Sequence, residues 1–502
     1  VPDRELRPRT VLGVDSSTQS TKVVVRCVDD GKVLASAHAP HPPTMPPRSE
    51  QDPAAWWAAL VDAVGRLGDH RRDVVAVSVA AQQHGLVLTD DSGVPLRPAK
   101  LWNDTESDAM AKQMVSDLGV HTWTRLCGSV PVAAFTITKY AWMMRHEPDV
   151  VRSAAKLFLP HDWLTFNLSG AHVTDRGDAS GTGWYDPSDP AEPNDPRAVP
   201  DRLVDAALGH GAPGSVAEVE ARERFRGLLP RVLGPAEPAG TITAAAAAEL
   251  GLPEGVLVGP GTGDNMAAAV GLGLGFGDVV FSLGTSGTVY TLCTEHTADD
   301  SGAVAGFADA TGWFLPLVCT LNATKVTDTV AGWLGTDVAG IDELALRADP
   351  RSPSVPTLVP YFDGERTPDL PDATGSIAGL RNNTTRAEFA LAAVDGVLGG
   401  LIEGREALRG AGALMDGRTF LVGGGAHSAA YRQRLADLSG SAVIVPDDPE
   451  AVATGAAAQA AVVLAARESN EPGQIPYDAL PAFAAVAAKW GLGKGTSTHP
   501  RP

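Results

Sequence analysis

The stretch Gly259–Gly273, GPGTGDNMAAAVGLG, is almost all glycine and alanine, yet its middle carries one carboxylate, Asp264, with an amide, Asn265, beside it. A lone acid of this kind can take a proton from an attacking hydroxyl. It can also cap the helix that NMAAAV predicts, by satisfying that helix's orphan N–H groups. Taken alone, capping is the better reading, and a chemical role needs a phosphate cradle and a polar pocket elsewhere in the chain. Both have candidates. VLGVDSSTQSTKVVV (11–25) and VVFSLGTSGTVYTL (279–292) share one pattern of strand, small Gly/Ser/Thr turn and strand. Two such turns can surround a polyphosphate with backbone N–H groups and hydroxyls, although an ordinary β-hairpin would explain either one singly. Gln83 and His84 follow the strand pattern VVAVSVAA at its carboxyl end, where ligands of α/β proteins collect. Trp102, Asn103 and Asp104 add a ring and two polar groups, but Asp104 equally suits a cap for the helix predicted in TESDAMAKQMVSDLG. In TFLVGGGAHSAAYRQRLADLSG a strand leads through Gly423, Gly424 and Gly425 to a helix from about Ser428, and glycines there let a flat ligand approach the backbone. The spacing G-x-G-x-x-S is not a dinucleotide fingerprint, and the late GLGKGT is not a Walker A loop, because Ala488 replaces its first glycine.

Composition narrows the partners. At 502 residues and 44% hydrophobic content the chain should form at least two globular domains. Forty basic against 60 acidic residues leave a net charge of −20, which disfavours nucleic-acid or anionic-membrane binding. Any bound anion must then be held by local N–H groups or a metal. The four cysteines, Cys27, Cys127, Cys293 and Cys319, are scattered and form no Cys-x-x-Cys pair, which fits a reducing compartment. VPDRELRPRT lacks the apolar core of a signal peptide, and the richest apolar run, Val452 to Ala466, is interrupted by Thr454, Gly455 and Gln459. The expectation is a cytoplasmic protein.

Short apolar runs alternating with helical patterns up to about Ala466 predict an α/β protein. Val11–Val14, Lys22–Val25, Val74–Val79 and Leu86–Leu88 read as early strands. SEQDPAAWWAALVDAVGRL predicts a helix with Asp52 as cap, Pro53 at its first position, and Trp57, Leu60, Val61, Val64 and Leu67 on one face. A second long helix is expected near Ala387–Arg409. The proline-rich stretch Asp186–Gly240 reads as loops or a mobile insertion rather than core. Domains are expected over 10–258 and 259–470, with a glycine hinge near Gly251–Gly263 and a flexible tail over 489–502.

Together these pieces resemble the FGGY carbohydrate kinases of the sugar kinase, Hsp70 and actin superfamily, and among them most closely the xylulose kinases. The similarity spans about Val11 to Ala466. It rests on Asp15-x-x-Thr18, SEQDPAAWW, QQHG, LWND, GDNMAAAVG, SLGTSG, GERTP and LVGGGAHS, which occur in the family's order. The resemblance implies an α/β fold of two ribonuclease-H-like (actin-like ATPase) domains around a central ATP and sugar cleft, with Asp264 as the catalytic base. It also implies that Asp15 lies near Mg2+ and the phosphates, a metal that an acidic protein needs to neutralise ATP. Thr18, Gln19, Ser20, Lys22, Gly284, Thr285, Ser286 and Ser428 would contact ATP or its phosphates, although Lys22 equally suits a solvated strand-edge lysine, and Gly424 and Gly425 would face the adenine. Gln83, His84, Trp102, Asn103, Asp104, Asp264 and Asn265 would form the sugar pocket. GERTP, Gly364–Pro368, would be a cleft loop, whereas its residues alone suggest an exposed turn with a surface ion pair. The expected activity is ATP-dependent phosphorylation of a ketopentose, D-xylulose at its 5-hydroxyl. The alternatives are a sister kinase for ribulose, an L-ketose or a polyol, and, from another class, an actin-like or Hsp70-like ATPase without a small-sugar pocket. The partners expected are the sugar and ATP, with no nucleic acid and no membrane; a homodimer is compatible with the resemblance.

Overall fold

The structure is a computed structural model that describes residues 8–188, 199–208, 216–469 and 478–501, with side chains from 219 onward in the helix that begins at Val216. The chain forms two compact units. The first combines Val1–Leu274, Gly306–Phe314 and Glu450–Leu492; the second combines Gly275–Ala305, Leu315–Pro449 and Gly493–Pro502. Residues 259–274 and 450–469, expected in the C-terminal domain, thus belong with the first unit. Residue 470 lies outside the described residues.

In the first unit the valine-rich runs become a seven-stranded sheet. Thr10–Ser16, Ser20–Cys27 and Val33–Pro40 form an antiparallel meander. Val74–Ala81 lies parallel to Thr10–Ser16 on the other side and is followed by Leu257–Val258, with Thr262–Gly263 pairing its carboxyl end. Every residue of Thr10–Ser16 is buried, so both faces of the sheet must be covered. Leu12 and Val14 meet the helix Pro53–Arg66, which starts as the sequence predicts, with Asp52 accepting from the Ala54 N–H (2.9 Å). Of the expected face, Leu60, Val64 and Leu67 are buried, while Trp57 and Val61 are only half-buried at the edge of the core and Trp56 takes the central place. Adjacent tryptophans gave two usable phases, and the sheet selected the one that also buries Ala59 and Ala63.

The other face, carrying Gly13, receives the helix Ala451–Glu468. A Cβ on Gly13 would lie 1.9 Å from Ala453 O. The same helix packs backbone to backbone against Asp264–Gly271: a Cβ on Gly455 would lie 1.8 Å from Ala267 O, and one on Gly271 1.9 Å from Ala451 O. The glycine and alanine around Asp264 therefore serve helix packing. The expected hinge is instead pinned. Gly261, at φ +78°, is buried, its carbonyl accepts from Gln459 Nε2 (3.1 Å), and a Cβ there would lie 2.6 Å from His161 Nδ1.

The second unit repeats the strand order. Val279–Leu283, Gly287–Thr291 and Phe314–Thr320 form an antiparallel meander, and Thr419–Val422 then Val443–Pro446 continue in parallel beside Val279–Leu283. The internal echo between the two hairpins is thus an echo of two whole sheets. Arg386–Gly410 covers this sheet with Leu391, Val394, Leu398 and Leu401, and begins in a capping box formed by Thr385 and Glu388.

Two expectations fail. Within the proline-rich stretch, Asp201–Leu208 and Val216–Leu228 are helices, joined by Arg222 to Asp205 (2.7 Å) and anchored by Phe225 against Tyr140 and Trp184. Prolines flank these helices, at Pro200 and Pro230, rather than interrupting them. Residues 189–198 and 209–215 of the same stretch lie outside the described residues. In the expected tail, Gly495–Thr498 pairs antiparallel with Val443–Pro446, and Arg501 bonds Asp437 (2.6 Å).

The close helix contact generates a test. Gly455→Ala is expected to lower Tm, by an overpacking cost of about 1–3 kcal/mol. Gly399→Ala, where an added methyl meets no atom within 4 Å, should hold or raise it. Thermal unfolding followed by circular dichroism checks both, and equal shifts would contradict the packing.

Candidate active site

Asp264 is the first residue of its helix, and the N-cap is Gly263. The acid therefore does not cap. Its Oδ1 accepts from the Asn265 N–H (2.8 Å) and from Asn265 Nδ2 (3.0 Å). Asn265 Nδ2 also donates to Gln83 Oε1 (2.8 Å), and Gln83 lies flat on Gly263, where a Cβ would sit 2.7 Å from its Cγ. Gln83, Asp264 and Asn265 are thus brought together, because Thr262–Gly263 pairs with the last residues of the strand that leads into Gln83. Burial raises the Asp264 carboxyl to about 6, and the N–H groups at the helix start and the Asn265 side chain only partly offset it. The helix N-terminus is therefore not what sets this acid.

His84 is the single non-glycine residue with a left-handed backbone among the described residues, at φ 64°. Such a conformation costs about 1–3 kcal/mol and persists where surroundings over-determine it. Here the surroundings are Phe135, stacked on the imidazole at 5.3 Å, Phe307 at 5.5 Å, and Gly181, whose Cβ would lie 2.2 Å from the ring.

The first Gly/Ser/Thr turn is also tied in. Trp102 Nε1 donates to Thr18 Oγ1 (2.9 Å), and that hydroxyl donates to Gln82 Oε1 (3.0 Å). The one proton on Thr18 Oγ1 is therefore spent on Gln82, and the Trp102 indole N–H on Thr18. Gln19 is exposed, and Ser20 begins the second strand, its carbonyl accepting from Ser17 (3.0 Å). Asp15 is 6% exposed, and its Oδ1 has no hydrogen-bond partner. Burial first, then Asp264, pushes its carboxyl up to about 7, against the pull of Lys22. Lys22 stands opposite Asp15 in register, and its ammonium pairs with Glu450 (2.8 Å).

Asp104 is occupied by the protein and suits neither of its expected roles. It is fully buried, and its oxygens accept from Lys100 (3.2 Å), the Ser49 N–H (2.9 Å) and the Glu106 N–H (3.1 Å). The following helix, Asp108–Leu118, has Ser107 at its N-cap. Glu50, Asp104 and Glu106 could be taken for a metal cluster, but all three close on the buried Lys100 ammonium. Asn103 is half-buried, with its Oδ1 unpartnered.

In the second unit, Gly284–Ser286 forms the turn between paired strands, with Thr285 exposed. The turn is held from behind: Ala323 N–H donates to Thr285 O (3.2 Å), and Thr324 Oγ1 to Gly284 O (2.9 Å). GERTP is not an exposed turn with a surface ion pair. Glu365 is buried and accepts from Leu321 N–H (2.6 Å) and Asn322 Nδ2 (2.9 Å), next to the residues that hold the turn. Gly425 packs on Leu283, whereas a Cβ on Gly424 would meet open space, so the fold itself does not require glycine there. Ser428 caps Ala429–Ser439 and donates to Asp342, whose carboxylate also takes the Ala429 and Ala430 N–H groups. That helix end is satisfied by a protein acid.

Residues 10–189 match the N-terminal domain, and residues 279–464 the C-terminal domain, of the FGGY family of carbohydrate kinases. The xylulose kinase of Streptomyces coelicolor is 42% identical over 489 residues, covering 97% of this chain and 91% of that protein. This chain belongs to the FGGY family of carbohydrate kinases. The xylulose kinase of Escherichia coli is 32% identical, covering 86% of this chain and 84% of that one. Among solved structures, the xylulose kinase of Bifidobacterium adolescentis superposes with a TM-score of 0.80 at 38% identity, covering 91% of this chain and 93% of its own. The two sheet units are accordingly the actin-like ATPase fold of FGGY kinases, and the family's chemistry uses ATP.

Four acidic-cluster residues escaped the sequence reading: His161, Asp162, Asp175 and Asp178. All are buried in the first unit. The signal was present in PHDW (160–163) and TDRGD (174–178), where polar residues sit inside otherwise apolar elements. Glu365 was missed as a brace because GERTP is polar on both sides and reads as an exposed turn.

The raised Asp264 carboxyl makes a pH prediction. If Asp264 takes the acceptor proton it must be ionised, so at saturating Mg·ATP the rate should hold above pH 6 and fall tenfold per pH unit below about 6. A limb unchanged in Asp264→Asn would assign that titration to another group.

Proposed function

We propose that this FGGY kinase transfers the γ-phosphate of ATP to a ketopentose, D-xylulose at its 5-hydroxyl. The observation that carries this is the joined set Gln83, Asp264 and Asn265 in a chain similar over nearly its whole length to xylulose kinases. Asp264 takes the hydroxyl proton as the sugar oxygen attacks phosphorus and the bond to the ADP oxygen breaks. Asn265 fixes Oδ1 of Asp264 through two hydrogen bonds, which leaves Oδ2 for the substrate. Gln83 Nε2 has no partner among the described residues and would donate to a sugar hydroxyl, with His84 beside it and Trp102 and Asn103 at the rim. The backbone N–H groups of Thr18–Ser20 and of Gly284–Ser286 would bind phosphates, and the open space over Gly424 would admit the adenine.

Asp15 fits a divalent cation: its carboxylate Oδ1 is buried and unpartnered, and burial and Asp264 raise its pKa further than Lys22 lowers it. When bound, Mg2+ neutralises phosphate charge. The four cysteines are all free, which supports a reducing, cytoplasmic setting, and no helix of the described residues is long and apolar enough to cross a membrane.

A coupled ADP-release screen over pentuloses, hexuloses and polyols tests the reading. D-Xylulose should exceed glycerol in kcat/KM by a factor on the order of 10⁴, as for a site that hydrogen-bonds several hydroxyls. Asp264→Asn should lower kcat by about 10²–10⁴ with nucleotide binding intact. Xylulose turnover no faster than sugar-free hydrolysis, with another ketose or polyol active, would refute the sugar assignment alone. Nucleotide-dependent protein binding with no active sugar would favour an actin-like ATPase.

Asp15→Asn should weaken Mg·ATP use and leave the sugar KM unchanged, checked by ATP titration at several Mg2+ concentrations. The same substitution should raise Tm at pH 8 but not at pH 4. A carboxyl raised to about 7 from 3.8 destabilises the fold progressively as pH rises between those values.

A further inference from the structure

Beneath the strand that delivers Asp264 lies a buried charge cluster to which the proposed chemistry assigns no part. His161 is in the first turn of the helix Pro160–Ser169 and is fully buried. Its Nε2 is 3.2 Å from Asp162, 3.3 Å from Asp175 and 3.5 Å from Asp178. Burial alone would lower the imidazole, but the three carboxylates outweigh it and raise it to about 9. Burial pushes Asp178 far up, with Asp175, Asp162 and Asp264 adding to it, and neither of its oxygens has a hydrogen-bond partner. Such a cluster is a poor way to gain stability, since buried ions recover little more than their desolvation cost.

The cluster does grip one thing. Asp175 Oδ2 accepts from Thr262 Oγ1 (2.6 Å) and from Gly177 N–H (2.8 Å), while its Oδ1 accepts from Asp178 N–H (2.9 Å). The His161 ring packs directly under Gly261, whose left-handed backbone leaves no room for a Cβ. Thr262 and Gly263 form the short strand paired with Ala80 and Ala81, with Gly261 just before it and Asp264 just after it. Two of the three residues before Asp264 are therefore held from below by one ion cluster.

We propose that His161 and Asp175 are positioning residues for phosphoryl transfer, clamping the Gly261–Thr262 backbone so that Asp264 meets the acceptor hydroxyl at a fixed place and angle. This rests on Asp264 acting as the base. A displacement of about 1 Å in a reacting group can cost on the order of 10²-fold in rate.

The test uses the full-length enzyme with Mg·ATP and the best sugar of the screen. Thr262→Val keeps the shape and removes only the hydroxyl that Asp175 holds, so it avoids the folding risk of replacing His161. It should lower kcat by about 10–100-fold while the KM for ATP stays unchanged. Thr262→Ser, which restores the hydroxyl, should return kcat to near the wild-type value. In an Asp264→Asn background Thr262→Val should cost nothing more, because the clamp works through Asp264. A Thr262→Val enzyme with lowered Tm but full kcat per folded molecule would make the cluster purely structural and overturn the clamp. Full activity in Asp264→Asn alone would instead overturn the base reading on which the clamp rests, a result visible without any Thr262 variant.

Discussion

Two helices in the first unit touch through their backbones, and the placement of Asp264 depends on that contact. Ala451–Glu468 approaches Asp264–Gly271 so closely that Gly271 and Gly455 have no space for a methyl group, and on its sheet side the same helix excludes one at Gly13. At these glycines the two helices meet through peptide groups, with Val452 packed beside Ala267 and Ala456, so the distance between helices is set largely by backbone contact. From the same helix Gln459 receives a bond from Ser78 (2.5 Å) and gives one to the Gly261 carbonyl (3.1 Å). A segment remote in sequence thus holds the loop that leads into the proposed base.

Around that seam the first unit gathers carboxylates with few cations. Asp15, Asp162, Asp178 and Asp264 are all raised by burial, and Lys22 and His161 are the basic side chains acting on them. At one pKa unit per 1.36 kcal/mol, keeping Asp15 ionised at neutral pH costs on the order of 4 kcal/mol. In the proposed reading that cost is met when a cation binds, because Asp15 Oδ1 is buried without a hydrogen-bond partner. The strained His84 backbone is a second such cost, and it too lies at the end of the strand that leads into Gln83.

Local patterns in the sequence were read well because their causes are local. Asp52 followed by Pro53, the two Gly/Ser/Thr turns and the long helix from Arg386 each depend on neighbours within a few residues. What escaped depends on distant partners. Asp104 looked like a cap or a sugar ligand until Lys100 and the Ser49 N–H claimed its oxygens. GPGTG looked like a hinge because glycines permit motion, yet Gly261 is glycine because His161 lies against it. Trp56 and Trp57 could not be ranked without knowing which face the sheet would cover. The helices at Asp201 and Val216 were hidden by proline density, a signal that marks their ends and says nothing of their middles.

The order of segments along the chain also shapes how the protein is made. The first unit is closed by Ala451–Glu468, whereas nearly all of the second unit lies between its parts. On the ribosome, the first sheet therefore emerges with the face around Gly13 and Ala80 uncovered, and waits while the entire second meander and its long helix are synthesised. Early folding stages leave that apolar face bare, the kind of surface that chaperones capture and that associates with other nascent chains. Assembly of the Asp264 environment is accordingly among the last events of biogenesis, although Asp264 itself lies near the middle of the polypeptide.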